Sequence, residues 1–275
     1  MFTTLIDALS LRENLGDSSW AVVDCRFSLA EPEAGQRAYL AAHIPGAIYA
    51  HLDNDLSNPP TTDHGRHPLP PPEILVARFS RMGIGPDTQV VAYDDANGMI
   101  ASRLWWMLRY MGHTAVAVLD GGWPAWETAG LPTRSGEETR ATAVFQGKPR
   151  REWLILVDEV PHVPLLVDSR DAARYRGELE TIDPVAGHIP GAVNYYYQAN
   201  WTADGRYLST DKLRAQFTNL LGETPPEQAT FYCGSGVSAC VNLLAMAHAG
   251  LGNGRLYAGS WSEWCRDPDR PKQPD

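Results

Sequence analysis

Apolar residues along this chain fall into two kinds of run, and the two kinds alternate. The first kind is short and unbroken: 20–25 (WAVVDC), 88–93 (TQVVAY), 115–120 (AVAVLD), 164–169 (PLLVDS), 229–233 (ATFYC) and 254–259 (GRLYAG). These runs are strand-length, β-branched or aromatic, and lack alternation, which predicts strands buried on both faces of a parallel sheet. The second kind is longer and carries apolar residues at helical spacing, at 71–83, 102–113, 209–222 and 238–252. That spacing predicts helices, and most of these segments stop at glycine, where helices commonly end. Strands alternating with helices predict a layered α/β fold.

The pattern is written twice. His43 of AHIPGAIYA returns as His188 of GHIPGAVNY, and Asp24 of VVDCR returns as Asp168 of LVDSR. Trp123 and Trp126 of VLDGGWPAW return as Trp261 and Trp264 of LYAGSWSEW, and the three offsets are 145, 144 and 138 residues. Ordered matches at one long spacing predict a duplicated domain rather than a solenoid, whose repeats are far shorter. The expected boundaries are 7–133 for the first copy, a polar linker over 134–151, and 152–270 for the second copy. Motifs shared by both copies point to folding rather than chemistry. His43 and His188 are therefore expected in turns, and the four tryptophans in packing.

Composition narrows the function. The 275 residues include 33 acidic against 23 basic, a net charge of −10, which argues against nucleic acid or an anionic membrane held by bulk charge. No run approaches the ~20 apolar residues of a transmembrane helix. The opening MFTTLIDALSLRENL has no basic segment followed by an apolar run, so no secretory signal is expected. Cys25, Cys233, Cys240 and Cys265 are too few and scattered for a disulfide scaffold. A soluble, reduced, cytoplasmic protein is expected. Cys25 and Cys265 lack partners at metal-ligand spacing, and neither CxxC nor HExxH occurs, so no metal and no organic cofactor is expected.

Ligands of α/β domains gather off the carboxyl ends of the strands. The most informative such end is Cys233, followed by Gly234, Ser235, Gly236, Val237 and Ser238 and then a helix beginning near Ala239. Two glycines let the backbone curl so that several N–H groups face inward, an anion nest, and the helix adds its positive end. A thiol in that setting is expected to be a thiolate near neutrality, hence a nucleophile. Aligning the copies puts Asp94 opposite Cys233, so the first copy is expected to be catalytically silent. A cysteine phosphatase or arsenate reductase would need an arginine closing the loop. Ala239 and Cys240 stand there instead, which excludes that chemistry, and Cys240 is expected to face the core. A non-enzymatic sulfur carrier is a third reading, supported only by the silent copy.

The duplicated HIPGA motif, the paired tryptophans ending each copy and the CGSGVSAC loop resemble tandem-domain rhodanese-like sulfurtransferases, from about Asp7 to Cys265. The loop is similar to the CGSGVT pattern of the 3-mercaptopyruvate type, with Ser238 in place of threonine. The resemblance implies two rhodanese-like domains, each a parallel sheet flanked by helices. It implies sulfur transfer from 3-mercaptopyruvate through a Cys233 persulfide to a thiol, thioredoxin or cyanide, with the loop amides of Gly234, Gly236, Val237 and Ser238 holding the anion. It also implies a site serine at Ser235, whose other reading is loop closure. Arg174 matches the arginine that binds the donor carboxylate. His67, or its rival His64 eleven residues after Asp53, matches an acid–base histidine. The second arginine of the animal type is replaced by Asp183, with Arg176 off register, which leaves the choice between mercaptopyruvate and thiosulfate open.

Overall fold

The computed structural model describes residues 1–61 and 64–273. They form two compact units, one of Met1–Ser57, Pro70–Arg150 and Ala203–Arg206, the other of Asn58–Leu69, Arg151–Thr202 and Tyr207–Asp275.

The first unit has five strands, β1 (Leu5–Ile6), β2 (Trp20–Asp24), β3 (Ile48–Tyr49), β4 (Gln89–Tyr93) and β5 (Val116–Leu119). They pair in the order β1-β5-β4-β2-β3, all parallel, with Val23 between Ala92 and Ile48. The three longer strands are the predicted apolar runs; β4 and β5 are buried throughout, as unbroken hydrophobicity requires. The edge strands have two residues each, too few to leave a pattern. The helices are α1 (Ala8–Glu13), α2 (Ala34–Ala41), α3 (Pro72–Arg81), α4 (Ala101–Tyr110) and α5 (Gly122–Thr128). Asp7 caps α1 by accepting the N–H groups of Leu9 and Ser10, and Pro72 opens α3 where no N–H is needed.

The second unit repeats this winding. Strands β6 (Leu154–Ile155), β7 (Leu165–Asp168), β8 (Val193–Asn194), β9 (Ala229–Tyr232) and β10 (Arg255–Tyr257) pair as β6-β10-β9-β7-β8, again all parallel. Its helices are α6 (Ala172–Tyr175), α7 (Thr210–Leu221), α8 (Ala239–His248) and α9 (Ser260–Trp264). Among the described residues no helix is long and apolar enough to cross a membrane.

The duplicated motifs make the same contacts twice. Arg26 grips Asp24 and the Ala42 carbonyl; Arg170 grips Asp168 and the Gly187 carbonyl. Each pair is buried and charge-assisted, which ties the end of a strand to the HIPGA turn. The guanidinium carbons lie 4.5 Å over the Trp123 ring and 4.9 Å over the Trp261 ring. His43 Nδ1 bonds the Tyr39 carbonyl and His188 Nδ1 the Tyr175 carbonyl, both at 2.8 Å. These histidines and tryptophans hold turns and fill core. The polar stretch after Arg134 runs along the first unit. Arg140 donates to the carbonyls of Ser18, Trp20 and Gly83, and Phe145 packs edge-on against Phe79, 5.0 Å between centroids.

Candidate active site

Strand β9 delivers the chain into Cys233 and α8 takes it away, so the loop between lies at the carboxyl end of the sheet's middle strand. The start of α9 straps this loop down. The Cys233 N–H donates to Ser260 Oγ (3.1 Å), while Trp261 N–H donates to the Cys233 carbonyl (3.0 Å) and Ser262 N–H to that of Gly234 (2.9 Å). Gly236 sits at φ +74°, and a β-carbon there would strike the Ala258 carbonyl oxygen, so only glycine fits. Cys233 is 1% exposed and is a free cysteine. Cys240 Sγ turns back onto the Gly236 carbonyl at 3.5 Å. Ser238 precedes α8 without a side-chain capping bond, and the amides of Ser238 and Ala239 have no acceptor among the described residues.

The first unit shows what such a loop holds when it supplies its own anion. Asp94 follows β4 as Cys233 follows β9, and its carbonyl accepts Trp123 N–H at 2.8 Å, as that of Cys233 accepts Trp261. Its loop is one residue longer, so Ser102 stands opposite Cys240, and Ser102 Oγ bonds the Gly98 carbonyl. Asp94 is fully buried. Its Oδ1 accepts the N–H groups of Ala96 and Gly98 (2.8 and 2.7 Å) and its Oδ2 those of Ile100 and Ala101 (2.7 and 2.8 Å). Burial pushes the pKa of this carboxyl up, and the four amides oppose the rise. Ser238 and Ala239 are the counterparts of Ile100 and Ala101, and among the described residues no carboxylate accepts from their amides.

Charged and proton-carrying groups crowd the Cys233 loop. His67 Nδ1 lies 2.7 Å from Ser235 Oγ, and both residues are buried. Next to His67, the Arg66 N–H donates to Ser262 Oγ (3.0 Å). A β-carbon on Gly234 would stand 2.8 Å from Arg66 Nη2 and 3.6 Å from Arg174 Nη1, so two guanidiniums rest against the loop backbone. Behind them Asp183 binds Arg66 Nη1 through Oδ1 and Arg174 Nη2 through Oδ2. Glu180 binds Arg174 Nε and Nη2 at 3.1 and 2.9 Å. Burial pushes the Asp183 carboxyl up, against the pull of Arg66 and Arg174. Burial would also raise Glu180, but N–H groups of Asp183 and Ile182 and the Arg174 charge outweigh it and hold Glu180 low. Burial raises the Tyr197 phenol, and Cys233 adds to the rise, which sets Tyr197 within electrostatic reach of the sulfur.

The structure thus gathers Cys233, Ser235, His67, Arg174 and the loop residues Gly234, Gly236, Val237 and Ser238 in one place. His64 is elsewhere engaged. It is exposed, with Nδ1 2.7 Å from Thr61 Oγ1 and its carbonyl bound by Arg266. Arg66, Glu180 and Tyr197 were not legible in the sequence. Arg66 adjoins His67 in a stretch without periodicity, and nothing in the order of residues tells that this stretch belongs to the second unit. Among the described residues no group of three or more His, Cys, Asp or Glu side chains could hold a metal ion.

Fold and site have counterparts among known proteins. The profile of the rhodanese-like domain matches residues 7–129 and 153–267. A probable 3-mercaptopyruvate sulfurtransferase of Pseudomonas aeruginosa is 45% identical over 274 residues, 97% of this chain and 96% of that protein. A putative thiosulfate sulfurtransferase of Mycobacterium tuberculosis is 38% identical over 257 residues, 91% of this chain and 89% of that protein. The solved 3-mercaptopyruvate sulfurtransferase from Leishmania major superposes with a TM-score of 0.86 at 34% identity, covering 95% of this chain and 74% of that one. The chain belongs to the rhodanese-like domain family, carries two such domains in tandem, and is an enzyme of the sulfurtransferase class.

Proposed function

We propose that the chain moves sulfur from 3-mercaptopyruvate to a thiol acceptor through a persulfide on Cys233, and that the first domain is catalytically silent. The Cys233 thiolate attacks the donor sulfur and a sulfur–sulfur bond forms. The sulfur–carbon bond breaks, and its electron pair leaves on the pyruvate enolate. The proton originally on the donor thiol ends on the methyl group of pyruvate, so the net change is thiolate to persulfide anion and mercaptopyruvate to pyruvate. A thiol, reduced thioredoxin or cyanide then takes the outer sulfur and restores the thiolate, a ping-pong scheme. A reducing compartment such as the cytoplasm suits this cycle, since Cys233 must return to a free thiol.

The observation that carries the reading is the pair of amides beside Cys233, Ser238 and Ala239, which have no acceptor among the described residues while their first-domain counterparts, Ile100 and Ala101, bind the Asp94 carboxylate. A persulfide anion is the charge this pair would hold, by donors fixed before the reaction. Ser235, bonded to His67, supports proton delivery to the donor carbonyl as the enolate forms. Arg66 and Arg174 support binding of the donor carboxylate. Thiosulfate is the second reading, supported by the same two guanidiniums, which can also bond a sulfonate oxygen. Thiocyanate formation from cyanide, with each donor in parallel, tests both. A preference for 3-mercaptopyruvate together with inactivity of Cys233→Ser is the expected result, and activity in that variant overturns the scheme.

A further inference from the structure

The two arginines at the Cys233 loop are matched by two carboxylates, and this balance bears on which donor the site accepts. The inference rests on the reading that the charged end of the donor meets Arg66 and Arg174. Asp183 is the hub. Its side chain is 2% exposed, and it holds one terminal nitrogen of each guanidinium, Arg66 Nη1 and Arg174 Nη2. The remaining terminal nitrogens, Arg66 Nη2 and Arg174 Nη1, are those that rest against Gly234. Glu180, 4% exposed, takes the other edge of Arg174. The next cation inward, Arg170, is already held by Asp168 and reaches Glu180 only at 3.5 Å. The cluster facing the loop therefore presents directed N–H donors with a formal charge of zero.

The geometry points to Asp183 as the residue that sets donor charge selectivity. By cancelling one guanidinium it leaves enough hydrogen bonds for a monoanionic carboxylate and removes the surplus positive charge that a dianion would need. Charges this close and this little exposed are poorly screened, so one added unit discriminates strongly between a monoanion and a dianion. The carboxylate also holds both side chains in place, but that role alone would affect every anionic donor alike.

Asp183→Asn keeps the shape and an acceptor for one arginine while adding one unit of positive charge. The ratio of kcat/KM for thiosulfate to kcat/KM for 3-mercaptopyruvate is expected to rise about tenfold or more. Sulfate, a dianion, should strengthen as a competitive inhibitor relative to acetate, which reads the same selectivity without any chemistry. Asp183→Glu, which keeps the charge, should restore the wild-type ratio. If both donors and both inhibitors weaken in parallel in Asp183→Asn, Asp183 only positions the arginines and the proposal is overturned. Should Asp183→Asn fail to fold, Glu180→Gln removes the other counter-charge and is held to the same ratio. Failure of the underlying reading is separately visible, because the donor KM of Arg66→Ala and Arg174→Ala would then stay at the wild-type value.

Discussion

Ser235 Oγ lies 2.7 Å from His67 Nδ1, a bond between residues 168 positions apart that joins the Cys233 loop to the Asn58–Leu69 stretch within one unit. Two buried, proton-carrying groups in contact act as one, so their loss should not be additive. Ser235→Ala and His67→Ala are each expected to lower kcat for 3-mercaptopyruvate by about 10²–10⁴-fold, the usual range for a positioned acid–base group. The double variant should fall little further. A double variant showing the product of the two single losses would separate the residues into independent roles.

Sulfur should reside on Cys233 alone. Burial, reinforced by Asp94 and Asp24, pushes the Cys25 thiol well up, and burial pushes that of Cys265 up to about 11, so neither offers thiolate at neutral pH. Peptide mapping after incubation with donor should place the added sulfur on the Cys233 peptide. Cys233→Ser should take up none yet keep the wild-type circular dichroism. Sulfur recovered on the Cys25 or Cys265 peptide contradicts this assignment.

Arg66→Ala and Arg174→Ala should act on donor binding more than on turnover. Each removes charge-assisted bonds worth roughly 1.5–3 kcal/mol, so the donor KM should rise about tenfold to a hundredfold. An unchanged KM in either variant removes that arginine from the donor site.

Asp94 carries a prediction about stability, not activity. Asp94→Ala orphans the N–H groups of Ala96, Gly98, Ile100 and Ala101, and each buried unpaired donor costs roughly 1–3 kcal/mol. A lowered unfolding midpoint with unchanged kcat is expected. Loss of transfer in a folded Asp94→Ala protein would be inconsistent with a silent first domain.

Acid should weaken the second unit partly through Glu180. Its carboxyl is held below the ordinary value of 4.5 in the folded chain, so the unfolded chain takes the proton first. The stability it contributes is fully present above 4.5 and is lost as pH falls through the folded value. Asp183, raised from 3.8, has the opposite sign: its contribution is fully present below 3.8 and is lost as pH rises through its folded value. Glu180→Gln should therefore melt lower than wild type at pH 7, and the gap should shrink as pH falls below 4.5. A gap that is constant with pH would mean Glu180 acts by shape alone.

What the order of residues determined by itself is the architecture and the loop that carries the proposed nucleophile. Parallel strands buried on both faces are apolar at nearly every position, so β2, β4 and β9 stand out as near-continuous runs. The duplication stands out because both copies need the same Asp–Arg–Trp and HIPGA contacts to close. Cys233 stands out because glycine at φ +74°, forced by the Ala258 carbonyl, leaves a local mark in the chain. The loop's chemistry is local, and local chemistry is readable. What only the tertiary structure decided depends on contacts across long separations. Arg66 meets Asp183 over 117 residues and His67 meets Ser235 over 168. No periodicity records such a meeting, because each partner sits in irregular chain whose side-chain directions follow from packing. For the same reason the placement of His67 rather than His64 at the Cys233 loop, and of Arg66 from before α3 beside Arg174, became visible only in the fold.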